Sequence, residues 1–283
     1  MGFSYSSVVS KIWGGTPVIP DGPAKNAPLW RKVYDTLLGL RDAVLGTLLW
    51  SGDFAVSGSA ANNFTVTIGA ISCAIVYDGT NYVPLAYAGG TIDQTAVQGG
   101  GGTLGAAVDW WHVYLYSNGG SAAFEISQTA PTGNRVFKTG DNTRRYLGRF
   151  RTNTSGVPLA VTAAHGHYLY RVDQVVKLSG NDTSRTAVIV RPDSTTEESL
   201  IPTDVKLVRM YFQYDAQSGG DRALSIYNAN TSTVSTTLVG KNVGAAQTIQ
   251  AEMMVEVDSA QQFAYATSSG ASTMNAYCRG WVE

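Results

Sequence analysis

From about residue 51 to its end the chain repeats one device: short runs in which apolar and polar residues alternate, broken by clusters of Gly, Asn, Asp and Ser. "NNFTVTIGAISCAIVYDGTNYVPLAYAG" alternates and breaks at Asp78-Gly79, a hairpin signal. "AVDWWHVYLYSNGGSAAFEIS" reads as a strand, a Gly-Gly turn and a returning strand, and "SQTAPTGN" follows as a loop. "KLVRMYFQYDA", "GGDRALSIYNAN" and the closing "AEMMVEVDSAQQFAYATSSGASTMNAYCRGWVE" continue the pattern. A period of two with almost no helical period confines this part to antiparallel sheets, of the sandwich or jelly-roll kind. Composition agrees. Charged residues are only 14% of the chain, against about 25% in ordinary soluble domains. The 31 Gly and 15 Tyr suit tight turns and short twisted strands.

The first 50 residues differ. "GGTPVIPDGPAKNAP" is Pro-rich and is expected to run extended. In "LWRKVYDTLLGLRDAVLGTLLW", Trp30, Val33, Leu37, Leu40 and Val44 recur at alternating spacings of three and four, the seam of an amphipathic helix. Such a helix either docks on its own domain or joins identical chains in a short coiled coil. Leu38, Leu45 and Leu48 broaden the apolar face, which favours three chains over two. The expected organisation is a tail and oligomerising helix over 1–50, a β domain over 51–170 and a distal β domain over 171–283.

The net charge of −1 argues against a nucleic-acid partner, which would need phosphate neutralisation, and gives no attraction to an anionic membrane. No run approaches about 18 uninterrupted apolar residues, so no membrane insertion is expected. "MGFSYSSVVSKIWGG" lacks the basic and apolar regions of a signal peptide, which points to synthesis in the cytoplasm without export. Cys73 and Cys278 both sit in alternating apolar stretches and read as buried thiols, a disulfide between them remaining open.

"NTRRYLGRFRTNTSG", 142–156, carries four arginines. At period two, Arg144, Tyr146, Gly148, Phe150 and Thr152 share one face, and Arg145, Leu147, Arg149 and Arg151 share the other. The first face offers aromatics for burial. The second is expected to offer guanidinium groups to water or to a neighbouring chain. Stacking aromatics would have to lie on the basic side for nucleic-acid binding, and here they lie opposite.

"AVDWWHVYLYSNGG", "SQTAPTGN" and "NTRRYLGRFRTNTSGVPLAVTAAHGHYLYR" together resemble a segment of fibre, spike and related virion proteins of tailed phages. Those proteins pair a Trp-x-His-Val-Tyr-Leu strand with a Ser-x-x-Ala-Pro loop and an Arg-Arg-x-x-Gly-x-x-x-Thr-x-x-x-Gly strand and turn. The similarity covers about 109–171, and the closing "AYCRGWVE" looks like the last strand of a fibre tip. The resemblance implies a homotrimeric virion appendage, anchored to capsid or tail proteins by its amino end and meeting the host surface with its carboxyl end. No repeated shaft is visible, which favours a short fibre, head fibre or decorating spike. Some phage spikes hold an octahedral metal with histidines on their axis, which singles out His165 and His167. The plainer expectation is exposed or hydrogen-bonded histidines, with no cofactor.

No enzyme is expected. The one dense acidic group, "DSTTEESL", reads as a solvated loop, and neither a Gly-x-Ser-x-Gly elbow nor a His-Glu-x-x-His helix occurs. Exposed aromatics beside amides suit sugars. Trp110 and Trp111 fall on opposite faces of their strand, and Tyr211, Tyr214, Tyr227 and Trp281 are the expected receptor-facing aromatics, with a host-surface glycan the natural ligand. The rival readings are a capsid-decorating protein without receptor contact and a monomeric carbohydrate-binding β-sandwich module.

Overall fold

A computed structural model of the chain describes residues 53–98, 102–105, 107–133, 135–164, 166–176, 178, 184–191, 199–216, 222–230, 234–240, 247–268 and 273–283. The expected tail and the seam of Trp30, Val33, Leu37, Leu40 and Val44 lie outside the described residues, as does His165. The described chain is mainly β, in several antiparallel sheets. Its strands are, first, β1 Phe54–Ala60, β2 Asn63–Ile68, β3 Ile71–Tyr77, β4 Tyr82–Tyr87, β5 Gly90–Asp93 and β6 Trp110–Asn118. Next come β7 Ser121–Ser127, β8 Phe137–Lys138, β9 Asp141–Arg151, β10 Val161–Ala164, β11 His167–Val176 and β12 Thr186–Ile189. The last are β13 Leu207–Ala216, β14 Arg222–Tyr227, β15 Val234–Gly240, β16 Gln247–Glu256, β17 Gln262–Thr267 and β18 Thr273–Val282.

The chain forms two compact units, each assembled from segments that are separate in the sequence. Unit one takes Val66–Thr103 and Trp111–Arg149, while unit two takes Phe54–Thr65, Leu104–Trp110 and Phe150–Glu283. The boundaries fall inside β2, β6 and β9. Local alternation reveals a strand but not its partner: β1 pairs with β10, Val56 opposite Val161, over a hundred residues apart.

In unit one, β3 and β4 form the hairpin expected at Asp78-Gly79. The Asp78 carboxylate accepts the backbone N–H groups of Thr80 and Asn81 at 2.8 and 2.7 Å, and Gly79 takes φ 103. The two-residue turn between β6 and β7 uses Gly119 and Gly120 at φ 58 and 85, a conformation glycine adopts without steric cost. A second sheet runs in the order β7-β6-β9-β8. Tyr87 of β4 meets Phe124 of β7 edge-on at 4.8 Å, so the hairpin covers one face of this sheet.

That cover overturns the expectation of outward arginines. Arg145 and Arg149 are buried, and Arg145 donates from Nη1 to the Ile75 carbonyl of β3 at 2.8 Å. Burial lowers the Arg145 pKa, and a backbone carbonyl is the acceptor that makes such burial tolerable. Arg151, in unit two, is buried as well.

In unit two, strands run in the order β16-β13-β18-β11-β10-β1-β2, and a separate sheet runs β12-β17-β14-β15. Phe212 of β13 meets Phe263 of β17 at 5.9 Å, where the two sheets share a core with Met210, Leu224, Ile226 and Val255. A buried aromatic group extends that core: Trp281 stacks on Tyr168 at 4.6 Å and 6°, and Trp110, Tyr170 and Phe54 pack around the pair.

Candidate recognition face

Strict alternation on β13 sets up the site. Val208, Met210, Phe212 and Tyr214 point inward and are buried, so Leu207, Arg209, Tyr211, Gln213 and Asp215 occupy the opposite face. Registry extends that face across neighbouring strands of unit two. Glu252, Tyr211, Tyr277 and Val175 form one row, Gln250, Gln213 and Asn275 the next, and Thr248 beside Asp215 a third. Tyr211 and Tyr277 lie 5.8 Å apart, tilted by 38°.

Beyond the tyrosine row the strands are irregular. On β18, Cys278 pairs with Met210 and Gly280 with Arg209, so Arg279 is an extra residue, the signature of a bulge. Gly280 takes φ 151, and a Cβ there would sit 1.8 Å from the Tyr168 carbonyl oxygen. β11 is displaced at the same level, with four residues between Leu169 and Gln174 set against Arg279 alone. The two irregularities bring Arg279 and Asp173 together on the outer face.

Arg279 donates from Nε and Nη2 to the two Asp173 oxygens at 3.0 and 2.9 Å, and from Nη1 to Glu252 at 2.7 Å. Arg209 holds the other Glu252 oxygen. The Arg279 guanidinium also lies 4.3 Å from the centroid of the Tyr211 ring. Partial burial would raise the Glu252 pKa, but the hydrogen bonds from Arg209 and Arg279 outweigh it and hold the carboxyl below its ordinary value. The Asp173 bonds, with smaller help from Glu252, raise Arg279. Two cations and two carboxylates thus neutralise one another.

The amides differ from these ions. Gln250 is exposed and Gln213 and Asn275 are half-buried, and their side chains hold no hydrogen bond among the described residues. Asp215 accepts from the Thr248 hydroxyl at 2.6 Å. Tilted phenol rings beside free amides and satisfied charges can bind a ligand. They supply no nucleophile with an attendant base.

Of the residues singled out in the sequence, Tyr211 lies on this face. Tyr214 and Trp281 do not: both are buried in unit two, and their assignment as receptor-facing is corrected. Tyr214 has the parity of Phe212. Trp281 shares the parity of Tyr277, but the bulge at Arg279 reverses it. Tyr227 is half-buried on β14 of the other sheet. His167 is exposed at the start of β11, opposite Val282. Trp111 is buried in unit one, and Trp110 packs on Trp281 in unit two. Tyr277, Gln213, Gln250 and Asn275 were missed, although the parity of Tyr211 nominates Gln213 directly. Cys73 and Cys278 are free thiols.

A second ionic group lies in unit one, on the face of β7-β6-β9-β8 that carries Tyr114. Glu125 accepts from Lys138 at 2.5 Å and from Arg144 Nε at 2.7 Å, and Lys138 also donates to Gln98. Burial, with the Glu125 charge adding, raises the Tyr114 phenol, which donates to the Thr129 carbonyl at 2.5 Å. Every one of these groups already has a partner, and the cluster ties β7, β8 and β9 together. Among the described residues no group of three or more His, Cys, Asp or Glu could hold a metal ion.

No protein-family model matches the chain, and no curated protein matches it. Among solved structures, the insecticidal delta-endotoxin Cry8Ea1 of Bacillus thuringiensis is similar over 81% of this chain at 10% identity, with a TM-score of 0.22. This chain spans 51% of the length of that toxin.

Proposed function

We propose that the chain is a non-enzymatic structural protein of a tailed-phage particle, a short fibre or spike that works by attachment. In this reading the tail and helix of residues 1–50 anchor it to capsid or tail proteins and join three copies, and two β-sandwich units follow. Residues 171–283 contact the host surface. One observation carries the reading: unit two displays an open sheet face with a tyrosine pair and free amides, held in place by registry on five neighbouring strands. A regular sheet fixes the backbone beneath the recognition groups before binding, so that side-chain rotamers rather than the chain have to be ordered. The phage-like motifs over 109–171 support the virion setting.

Light scattering on the full chain tests assembly, the expected mass being three times the 30.1 kDa of one chain. Leu37→Asp should weaken the trimer, because it places a charge in the seam. Attachment is tested by competition. Purified full chain, added to host cells before the particle that carries it, should reduce particle adsorption. Monomers together with unchanged adsorption would overturn the reading.

A further inference from the structure

We infer that the open face of unit two is a subsite for a neutral glycan, laid across β16, β13 and β18 over the Gln250–Gln213–Asn275 row. The inference rests on the attachment reading and names the chemistry of its ligand. Three features of the face select that chemistry.

The first is spacing. Gln250, Gln213 and Asn275 are direct cross-strand neighbours, so their Cα atoms step across the sheet at roughly 4.8 to 5.5 Å. That step is about the length of one pyranose residue in an extended chain. Each side-chain amide offers an N–H₂ donor and a carbonyl acceptor, which matches hydroxyl groups that both donate and accept. These amides have no competing partner among the described residues, so binding does not first break an internal bond.

The second is the adjacent tyrosine row. Arg279 covers the Tyr211 ring, which leaves Tyr277, half-buried and one step along, as the plane for the apolar face of a sugar ring. Val175, 54% exposed, continues the row. A phenol combines an apolar plane with a polar tip and suits a ligand that is apolar on one face and hydroxylated at its edge.

The third is charge. Arg209 and Arg279 are engaged by Glu252 and Asp173. Among the described residues, the remaining charge on these rows is Asp215, beside the amides. Among the described residues of these rows, a sialylated or sulfated glycan would meet no uncommitted cation and one carboxylate of like sign. The face therefore selects a neutral chain.

The test is an array of immobilised oligosaccharides, with neutral hexose and N-acetylhexosamine chains beside sialylated and sulfated ones, probed with the full chain. Neutral members should bind. Gln213→Ala and Tyr277→Ala should each weaken binding about tenfold, about 1.4 kcal/mol, while thermal melts by circular dichroism stay within a degree or two of the parent. Binding to anionic members alone, binding unchanged in both variants, or no binding to any neutral member would each overturn the inference. So would a variant that alters the light-scattering mass, since the face would then be a contact between copies. Competition for adsorption reports on the attachment reading separately. A chain that competes with the particle but ignores neutral glycans sinks this inference alone.

Discussion

Arg279 grips Asp173 with two parallel hydrogen bonds, 3.0 and 2.9 Å, across 106 residues of sequence. The pair exists because β11 and β18 are both irregular at one level of the sheet, so it records a tertiary fact rather than a local one. Arg279→Lys removes the fork and keeps the charge. Because the partners are about a third exposed, the stability lost should be below about 1 kcal/mol by urea unfolding.

Glu252 makes the same ladder pH-sensitive. Its folded pKa lies below the ordinary 4.5 because the bonds from Arg209 and Arg279 outweigh the opposing burial. A carboxyl depressed in the folded state adds stability that is fully present above its unfolded value and is lost as pH falls through its folded value. The difference in melting temperature between parent and Glu252→Gln should therefore be greatest above about pH 5 and shrink steadily toward pH 3. A difference that grows on acidification would show that the ladder does not bind the ionised carboxyl.

Gly280 is the hinge of the bulge. A Cβ added there would lie 1.8 Å from backbone oxygen, a clash no rotamer can relieve. Gly280→Ala should destabilise by about 2 kcal/mol or more, or shift β11 away from β18. Gly79 also has positive φ, 103, but open space around its missing Cβ. Gly79→Ala should cost only the backbone strain, about 1 kcal/mol. The two melts, compared directly, separate clash from strain.

What the sequence disclosed follows from this physics. Alternation and turn chemistry sufficed for β3–β4 and β6–β7, because Asp78-Gly79 and Gly119-Gly120 dictate their own hairpins. They failed at Arg145 and Arg149, since a strand covered on both faces gives no outward side for charge to mark. They failed again at Trp281, where one extra residue reverses parity and nothing in "AYCRGWVE" announces it except the glycine. Thr152 and Gly156 of "RTNTSG" have structural reasons. Thr152 donates to the Ala107 carbonyl at 2.7 Å, and Gly156 passes so close to Gly105 that a Cβ would meet its oxygen at 1.7 Å. Such contacts pin a distant segment and are invisible to any local period.

Trp281 should behave as core and Tyr277 as surface, although four residues apart on one strand. Trp281→Ala deletes the centre of the aromatic group with Tyr168, Tyr170 and Trp110 and should lose about 3 to 5 kcal/mol. Tyr277→Ala should lose under about 1 kcal/mol. Equal losses in denaturant titrations would contradict the bulge.

Glu125 sits buried between Lys138 and Arg144, with 8% of its side chain exposed. Glu125→Ala leaves the buried Lys138 ammonium without its carboxylate and should destabilise unit one by about 3 to 5 kcal/mol. The double change Glu125→Leu with Lys138→Met removes both members of the shorter pair and should recover much of that loss. Loss that simply adds in the double variant would mean the pair is not coupled.

The two thiols should separate by reactivity. Cys278 is fully buried, and burial pushes its pKa up to about 12, so almost no thiolate forms at neutral pH and none meets solvent. Cys73 is only half-buried on β3. Iodoacetamide at pH 8 should label Cys73 on the folded chain and spare Cys278, whereas labelling in strong denaturant should reach both. Mass spectrometry of the peptides reads this directly. Native labelling of Cys278 would mean that β18 opens from β11 and β13 on the timescale of the reaction, and that the sheet carrying the amide row is not the rigid platform its registry describes.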